Sequence, residues 1–382
     1  MNSQHKTAVV YIITKLELGG AQKVCLALFN DVQNHGFQTH LITSTEGELV
    51  SQVKNNPQAH LLTSMKREVS IFGFMHEIKN FFALIKQLKA LKKEYAQVIV
   101  HTHSTKAGIV GRWAAWFAGI KTIIHTVHGF AFHNFQSWFT WIIFYIPEFF
   151  TSLITTKFVF VSNADTVTAS RLMPKISQKK VLIRAAIDDH HFSALAPHVY
   201  HKKEANHTFI IGTISCFKPQ KNLIDLLKAF EHAYRQNPHL RLEIIGDGQQ
   251  RPALEEFIAY HNLQNVVVLH GWQLDVAPLM KRWQLFALTS LWEGLPCALI
   301  EARLLKLPIV SYNTGGISDI IHHGINGFLY PQKNWQKLSA GILMLSHDEA
   351  LYAQLAYYPD NLHAFTRLQM IKKHAELYEQ LQ

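Results

Sequence analysis

Residues Phe286 to Ala302 read FALTSLWEGLPCALIEA, and this stretch decides how the rest of the chain is read. Leu285 to Leu288 is an apolar run of strand length, Thr289 to Glu293 is a short polar turn, and a helix is expected to open near Gly294-Leu295-Pro296. Two carboxylates frame it. Glu293 sits on the turn and Glu301 lies eight residues on, about two helical turns along the same side. A pair of glutamates at this spacing is, by itself, most often a solvated helix face. The apolar flanks and the Gly-Leu-Pro turn weigh against that here. In an open α/β sheet, ligands bind beyond the carboxyl ends of the strands, and a helix N-terminus there offers free N–H groups to an anion. The stretch therefore reads as a pocket for a polar ligand that carries phosphate.

The same strand-turn-helix unit recurs on both sides of this stretch. TFIIGTISCFKPQKNLIDLLKAF (208–230) is a strand, a polar loop and an amphipathic helix, with Lys221 at the helix start and Lys218 in the loop before it. LRLEIIGDGQQRPALEEFIAY (240–260) repeats the unit around Gly246-Asp247-Gly248, and NVVVLHGW (265–272) is a further strand. KLPIVSYNTGGISDIIHHGINGFLY (306–330) continues with a strand, Gly315-Gly316, a helix and a hairpin-like G-x-N-G-F; after Trp335 the chain reads as helical to its end. In the first half, AVVYIIT (8–14) is short, apolar and without alternation, as in a buried parallel strand. Gly19-Gly20 and a helix from Ala21 follow it. THLITS (39–44) and VIVHTH (98–103) are strands, the second ending in His101 and His103; IKTIIHTVHGF then places His128-Gly129 after another β run. KFVFVSNAD (157–165) is a strand leading into a helix capped by Asn or Asp. The alternation predicts two α/β domains, each a doubly wound parallel sheet, facing a cleft. Periodicity lapses in residues 191–207. The expected layout is a first domain over 1–190, a linker over 191–207, a second domain over 208–361, and a helix over 362–382 that packs back on the first.

Composition is consistent with two globular domains: 382 residues, 48% hydrophobic and 17% charged. Cys25, Cys216 and Cys297 form no C-x-x-C and no even set, which argues against a secreted disulfide scaffold or a zinc site and favours a reducing cytoplasm. With 24 histidines, a lone His is weak evidence for a site. The formal net charge of +10 is uneven, since residues 1–200 carry +9 and residues 201–382 only +1. A basic half suits nucleic acid, an anionic membrane or a phosphorylated substrate. No recognition helix or stacking motif supports nucleic acid. Lysines on the polar side of the amphipathic segment FGFMHEIKNFFALIKQLKALKKE (72–94) read either as a solvated face or as a contact to anionic lipid. Ser137 to Thr156, SWFTWIIFYIPEFFTSLITT, is the most hydrophobic part of the chain, yet Pro147 and Glu148 interrupt it near its middle. A core helix or an in-plane membrane contact fits better than a bilayer span.

The E-G-x-P-x-x-x-x-E pattern of Glu293 to Glu301 resembles the signature of family 4 glycosyltransferases, which have the two-domain GT-B fold. The resemblance extends along most of the chain, through Gly19-Gly20, the T-V-H-G-F around His128 and the V-S-x-A at 161–164. Two departures stand out. Ala185-Ala186 replace an Asn-Gly pair, and Cys216 occupies the place of an arginine five residues before Lys221. Lys218, in the same loop, is the expected substitute for that charge.

The resemblance implies a retaining transfer of a hexose or N-acetylhexosamine from a nucleotide sugar, most simply a UDP-sugar. Glu293 would hold the donor sugar's hydroxyls and Glu301 the ribose. Lys221 and Lys218 would neutralise the departing diphosphate, and Gly294, Leu295 and Pro296 would shape the turn that meets the donor. Gly20 and His128 would approach it from the first domain. There is no D-x-D, so neither metal nor cofactor is expected. The implied acceptor is a glycan or lipid-linked intermediate of bacterial surface polysaccharide synthesis, with the enzyme cytoplasmic and in peripheral contact with an anionic membrane at its inner face. The alternatives are a non-catalytic nucleotide-sugar-binding protein and a nucleotide-sugar epimerase of the same fold.

Overall fold

A computed structural model describes residues 7–63, 74–188, 191–192 and 208–382. The chain divides into two compact units, Met1–Ala186 with Ala364–Gln382, and Ile187–His363. Nearly all of the stretch expected as a linker lies outside the described residues.

In the first unit the elements run β1 (Thr7–Ile12), α1 (Gly20–Asp31), β2 (Gln38–Thr43), β3 (Ala59–Leu61), α2 (Phe74–Glu94), β4 (Gln97–His103), α3 (Thr105–Phe117), β5 (Thr122–Val127), α4 (Trp138–Ile154), β6 (Lys157–Phe160), α5 (Asn163–Leu172) and β7 (Lys180–Leu182). The strands form one parallel sheet in the order β3-β2-β1-β4-β5-β6-β7. The apolar runs lack alternation because both faces of the sheet are covered. On β1, Ala8, Val10 and Ile12 join Leu84 and Leu88 of α2 and Ala114 and Ala115 of α3 in one core, while Tyr11 is buried on the opposite face.

The second unit runs β8 (Phe209–Ile214), α6 (Leu223–Tyr234), β9 (Leu240–Ile245), α7 (Arg251–Tyr260), β10 (Val267–Gly271), α8 (Ala277–Met280), β11 (Leu285–Leu288), α9 (Cys297–Leu304), β12 (Ile309–Tyr312), β13 (Gly327–Tyr330), α10 (Trp335–His347) and α11 (Glu349–Ala356). Its six strands are also all parallel, in the order β10-β9-β8-β11-β12-β13. Its core joins Leu226, Phe230, Leu242 and Ile244 to Leu338 and Ile342 of α10. The final helix α12 (Arg367–Glu379) belongs to the first unit, where Tyr11 Oη donates to Tyr378 Oη at 3.2 Å and Arg367 Nε donates to Asp31 Oδ2 at 2.6 Å.

Several local expectations are corrected. The helix after Phe286–Leu288 begins at Cys297, with Pro296 extended at φ −75°, ψ 104°, so Gly294-Leu295-Pro296 still belongs to the loop that carries Glu293. The tail from Trp335 is not one helical run, because a non-helical stretch with a 3-10 turn at His363–Phe365 precedes α12. The G-x-N-G-F segment is not a hairpin: β13 pairs parallel to β12 after a turn closed by Gly324 N–H donating to Gly327 O at 2.8 Å. The cap of α5 is Ser162, whose Oγ accepts from Asp165 N–H at 3.1 Å.

The hydrophobic segment 137–156 forms α4, a continuous helix through Pro147. Its polar side faces inward. Glu148, 5% exposed, accepts from Arg112 Nη2 of α3 at 2.7 Å, and Thr151, Ser152 and Thr155 are buried with it. Among the described residues no helix is long and apolar enough to cross a membrane.

Candidate active site

In a doubly wound sheet the crevice opens where the strand order reverses, because successive crossovers leave to opposite faces there. In the second unit that point lies between β8 and β11, which pair in parallel. The loops after these two strands carry Lys218, Lys221 and Glu293.

The two loops are laced to each other. Leu291 N–H donates to Gln220 O at 2.8 Å, Gln220 Nε2 to Trp292 O at 2.7 Å, and Thr289 Oγ1 to Lys221 O at 2.9 Å. Lys221 Nζ and Glu293 Oε1 form an ion pair across them, with Glu293's side chain only 8% exposed. Its mostly buried setting makes it costlier to break than a solvated pair. Lys221 closes a 3-10 turn (Pro219–Lys221), and Asn222 in left-handed geometry (φ 48°) turns the chain into α6. Lys218 precedes that turn and is partly exposed, as is Cys216.

The E-G-x-P loop is braced from its far side as well. Gly316 N–H donates to Gly294 O at 2.7 Å. Gly315 has φ +53°, and a Cβ there would lie 2.0 Å from the Glu293 carbonyl oxygen, so only glycine lets the β12 loop approach so closely. Gly294, Leu295 and Pro296 are buried, and Glu301 is buried one turn into α9. The site thus places a cation and a carboxylate together at the strand ends, with Gly294-Leu295-Pro296 leading into the α9 N-terminus.

Two site features escaped the sequence reading. Ser215, at the end of β8, and Ser290, after β11, are buried with hydroxyls that have no hydrogen-bond partner among the described residues. The signal for them is modest: polar residues closing otherwise apolar strands at the reversal point. A buried hydroxyl left unpaired is costly, which suits a group awaiting a ligand or an ordered water.

In the first unit, Gly19 is extended (φ −124°) and Gly20 is the first residue of α1; the pair adopts no left-handed turn. His128 follows β5, with Nε2 3.0 Å from Nδ1 of His103. His101 bridges Tyr378 Oη at 2.6 Å and Thr126 Oγ1 at 2.7 Å. His101 and His103 do close β4, but both are fully buried, in a network with α12. Burial, with His374 second, pushes His128 down to about 3, and burial likewise holds His101 and His103 well below the usual imidazole value. These imidazoles are neutral at physiological pH, so they offer hydrogen bonds instead of charge.

Two parallel-sheet units with strand-end loops of this kind define the GT-B architecture. Solved structures share it: HepE of Anabaena in complex with UDP and glucose superposes with a TM-score of 0.79 at 18% identity, covering 98% of this chain and 99% of that one. The family model for Glycosyltransferase Family 4 matches residues 18–190, and that for Glycosyl transferases group 1 matches residues 200–361. The chain belongs to the family 4 glycosyltransferases. It is 28% identical, over 359 residues covering 92% of this chain and 91% of the other, to the Escherichia coli UDP-Gal:alpha-D-GlcNAc-diphosphoundecaprenol alpha-1,3-galactosyltransferase. It is 24% identical to the Staphylococcus aureus capsular polysaccharide biosynthesis glycosyltransferase CapM, with 81% of each chain covered.

Proposed function

We propose that this glycosyltransferase moves a hexosyl or N-acetylhexosaminyl unit from a UDP-sugar to a lipid-linked glycan acceptor of bacterial surface polysaccharide synthesis, with retention and without a bound metal. The observation that carries the reading is the Lys221–Glu293 pair at the strand-order reversal of the second sheet. Donor and acceptor class are supported by the E. coli relative, whose name specifies UDP-galactose and a GlcNAc-diphosphoundecaprenol.

On this reading Glu293 accepts hydrogen bonds from the donor sugar's hydroxyls, and Glu301 from the ribose. Lys221, helped by Lys218 in place of the family's arginine, stabilises charge building on the departing diphosphate, as do N–H groups of the Gly294-Leu295-Pro296 turn. In the first unit Gly20 and His128 contact the transferred sugar or its phosphate, His128 as a neutral hydrogen-bonding group. The C1–O bond to UDP breaks while the acceptor oxygen bonds C1 on the same face. The acceptor proton passes to the leaving phosphate oxygen, so no enzyme nucleophile is required. The protein works in the cytoplasm, in peripheral contact with an anionic membrane; the +9 charge of residues 1–200 supports this.

The test is a panel of UDP-, GDP- and ADP-sugars scored by thermal shift and slow hydrolysis, with and without EDTA. A UDP-sugar that stabilises the protein and is hydrolysed equally in EDTA is the expected result. NMR of the transferred product should show the donor's anomeric configuration. Binding of no nucleotide sugar would sink the proposal, and loss of turnover in EDTA would sink its metal-independent part.

A further inference from the structure

The helix α4 turns an apolar face outward although a second apolar side, Trp141, Phe144, Tyr145 and Phe149, already packs on a core of the first unit. Its exposed residues are Phe139, Ile143, Ile146, Phe150 and Leu153, spaced four, three, four and three apart along one face, with Trp138 at its start 75% exposed. Its inward side also carries Glu148, Thr151 and Ser152, all buried. This orientation is held by specific bonds. Arg112, fully buried on α3, donates to Glu148 Oε2, to Thr155 Oγ1 at 3.1 Å and to the Gly108 carbonyl at 2.8 Å, while Trp113 Nε1 donates to Thr151 Oγ1 at 2.9 Å. Rotating α4 to hide its outer apolar face would break the bonds to Glu148, Thr151 and Thr155 and leave the buried Arg112 without its carboxylate.

The apolar surface continues onto the neighbouring helices. Trp113 packs edge-on against Trp116 at 5.8 Å, and Phe117 against Phe81 at 5.9 Å. Trp116, Phe117 and Phe82 of α2 are themselves exposed. A contiguous apolar patch on one side of the first unit marks an interaction site. Its partner is indicated by composition and charge. The exposed rings are Trp and Phe, which suit the boundary between headgroups and acyl chains, and α2 adds exposed Lys79, Lys86, Lys89, Lys92 and Lys93.

We infer that the outer face of α2, α3 and α4 docks on an anionic lipid bilayer, with α4 lying in the plane of the interface and its Phe139–Leu153 face sunk among the acyl chains. The inference rests on the lipid-linked acceptor reading and adds to it the face that meets the membrane. At 17 residues and with Glu148 tied to Arg112, α4 lies on the membrane and does not cross it.

The experiment is flotation of the full chain with vesicles of phosphatidylglycerol and phosphatidylethanolamine, compared with pure phosphatidylcholine, alongside the double variant Ile146→Ser, Phe150→Ser. Both substituted positions are solvent-facing, so the variant should keep its thermal midpoint. It should float about tenfold less or weaker still, given the apolar area removed at two side chains. Hydrolysis of the UDP-sugar in vesicle-free solution should be unchanged, which separates this proposal from the transferase reading: no hydrolysis by either protein would sink that reading and leave the flotation result standing. Equal flotation of the folded variant and the wild type would overturn the docking face. So would a wild-type dimer at micromolar concentration that becomes monomeric in the variant, because the face would then be a contact between two copies of this chain.

Discussion

Acidification from about pH 7.5 to about pH 5 should destabilise the N-terminal unit, by an amount set by its buried imidazoles. His374 on α12 is 2% exposed and donates Nδ1–H to the Met370 carbonyl at 2.8 Å; burial pushes its pKa down to about 4. His40 on β2, between His60 and Tyr95, is also pushed down to about 4, first by burial and second by His60. Burial shifts His101, His103 and His125 in the same direction. Between the folded value and the unfolded value near 6.5, the unfolded chain binds more protons than the folded one. Stability is therefore full above about pH 6.5 and falls as the pH drops toward the folded pKa. A histidine at about 4 folded and about 6.5 unfolded loses about 2 kcal/mol over this range, so His374 and His40 together remove about 4 kcal/mol from a stability typically of about 5–15 kcal/mol. The assay is urea denaturation at both pH values for the wild type and His374→Asn, which keeps a donor near the Nδ1 position but cannot titrate. The variant should lose about 2 kcal/mol less than the wild type on acidification. Equal losses in the two proteins would refute the assignment of His374 as a buried neutral group.

Three further outcomes are expected. Glu293→Gln should lower transfer about 100-fold or more, since it removes a carboxylate placed for the donor while keeping the side chain's shape, and should also lower the urea midpoint because Lys221 loses its mostly buried partner; normal transfer by this variant would remove Glu293 from the catalytic set. Gly315→Ala should cost about 1–3 kcal/mol and reduce donor binding, because its Cβ collides with the Glu293 carbonyl at a left-handed φ; a thermal shift with UDP reads both effects, and an unperturbed variant would show that the loop relaxes freely. Arg112→Met should cost about 3–5 kcal/mol, since it strands the Glu148 carboxylate in the interior. Restored stability in Arg112→Met, Glu148→Leu would confirm that the loss comes from the unpaired charge, and its absence would point to lost packing instead.

Much of the fold was legible because both sheets are parallel and covered on both faces. Their strands are therefore short continuous apolar runs such as AVVYII and LFAL, and each is followed by a helix with one apolar face. Glu293, Gly294 and Pro296 could be picked out for the same reason, since residues just past a parallel strand lie at the end of the sheet where ligands bind. Element boundaries were harder to read. The start of α9 at Cys297 and the break before α12 depend on the local conformations of Pro296 and of residues 357–366, which hydrophobic periodicity does not encode.

Contacts between distant segments were decided by the tertiary structure alone. Lys221 and Glu293 are 72 positions apart, and nothing in either loop announces that they pair. His101 and Tyr378 are 277 apart, and their bond joins the last helix to the first sheet. The orientation of α4 is the clearest case. Its composition says only that the helix is strongly apolar, with a lone Glu148 near the middle. Which side faces the protein depends on whether a buried cation awaits that carboxylate, and Arg112 supplies it from another helix. Local sequence determines which residues form an element, because propensity and periodicity act over a few neighbours. Which face an element buries is settled by the partners that the packed chain brings to it.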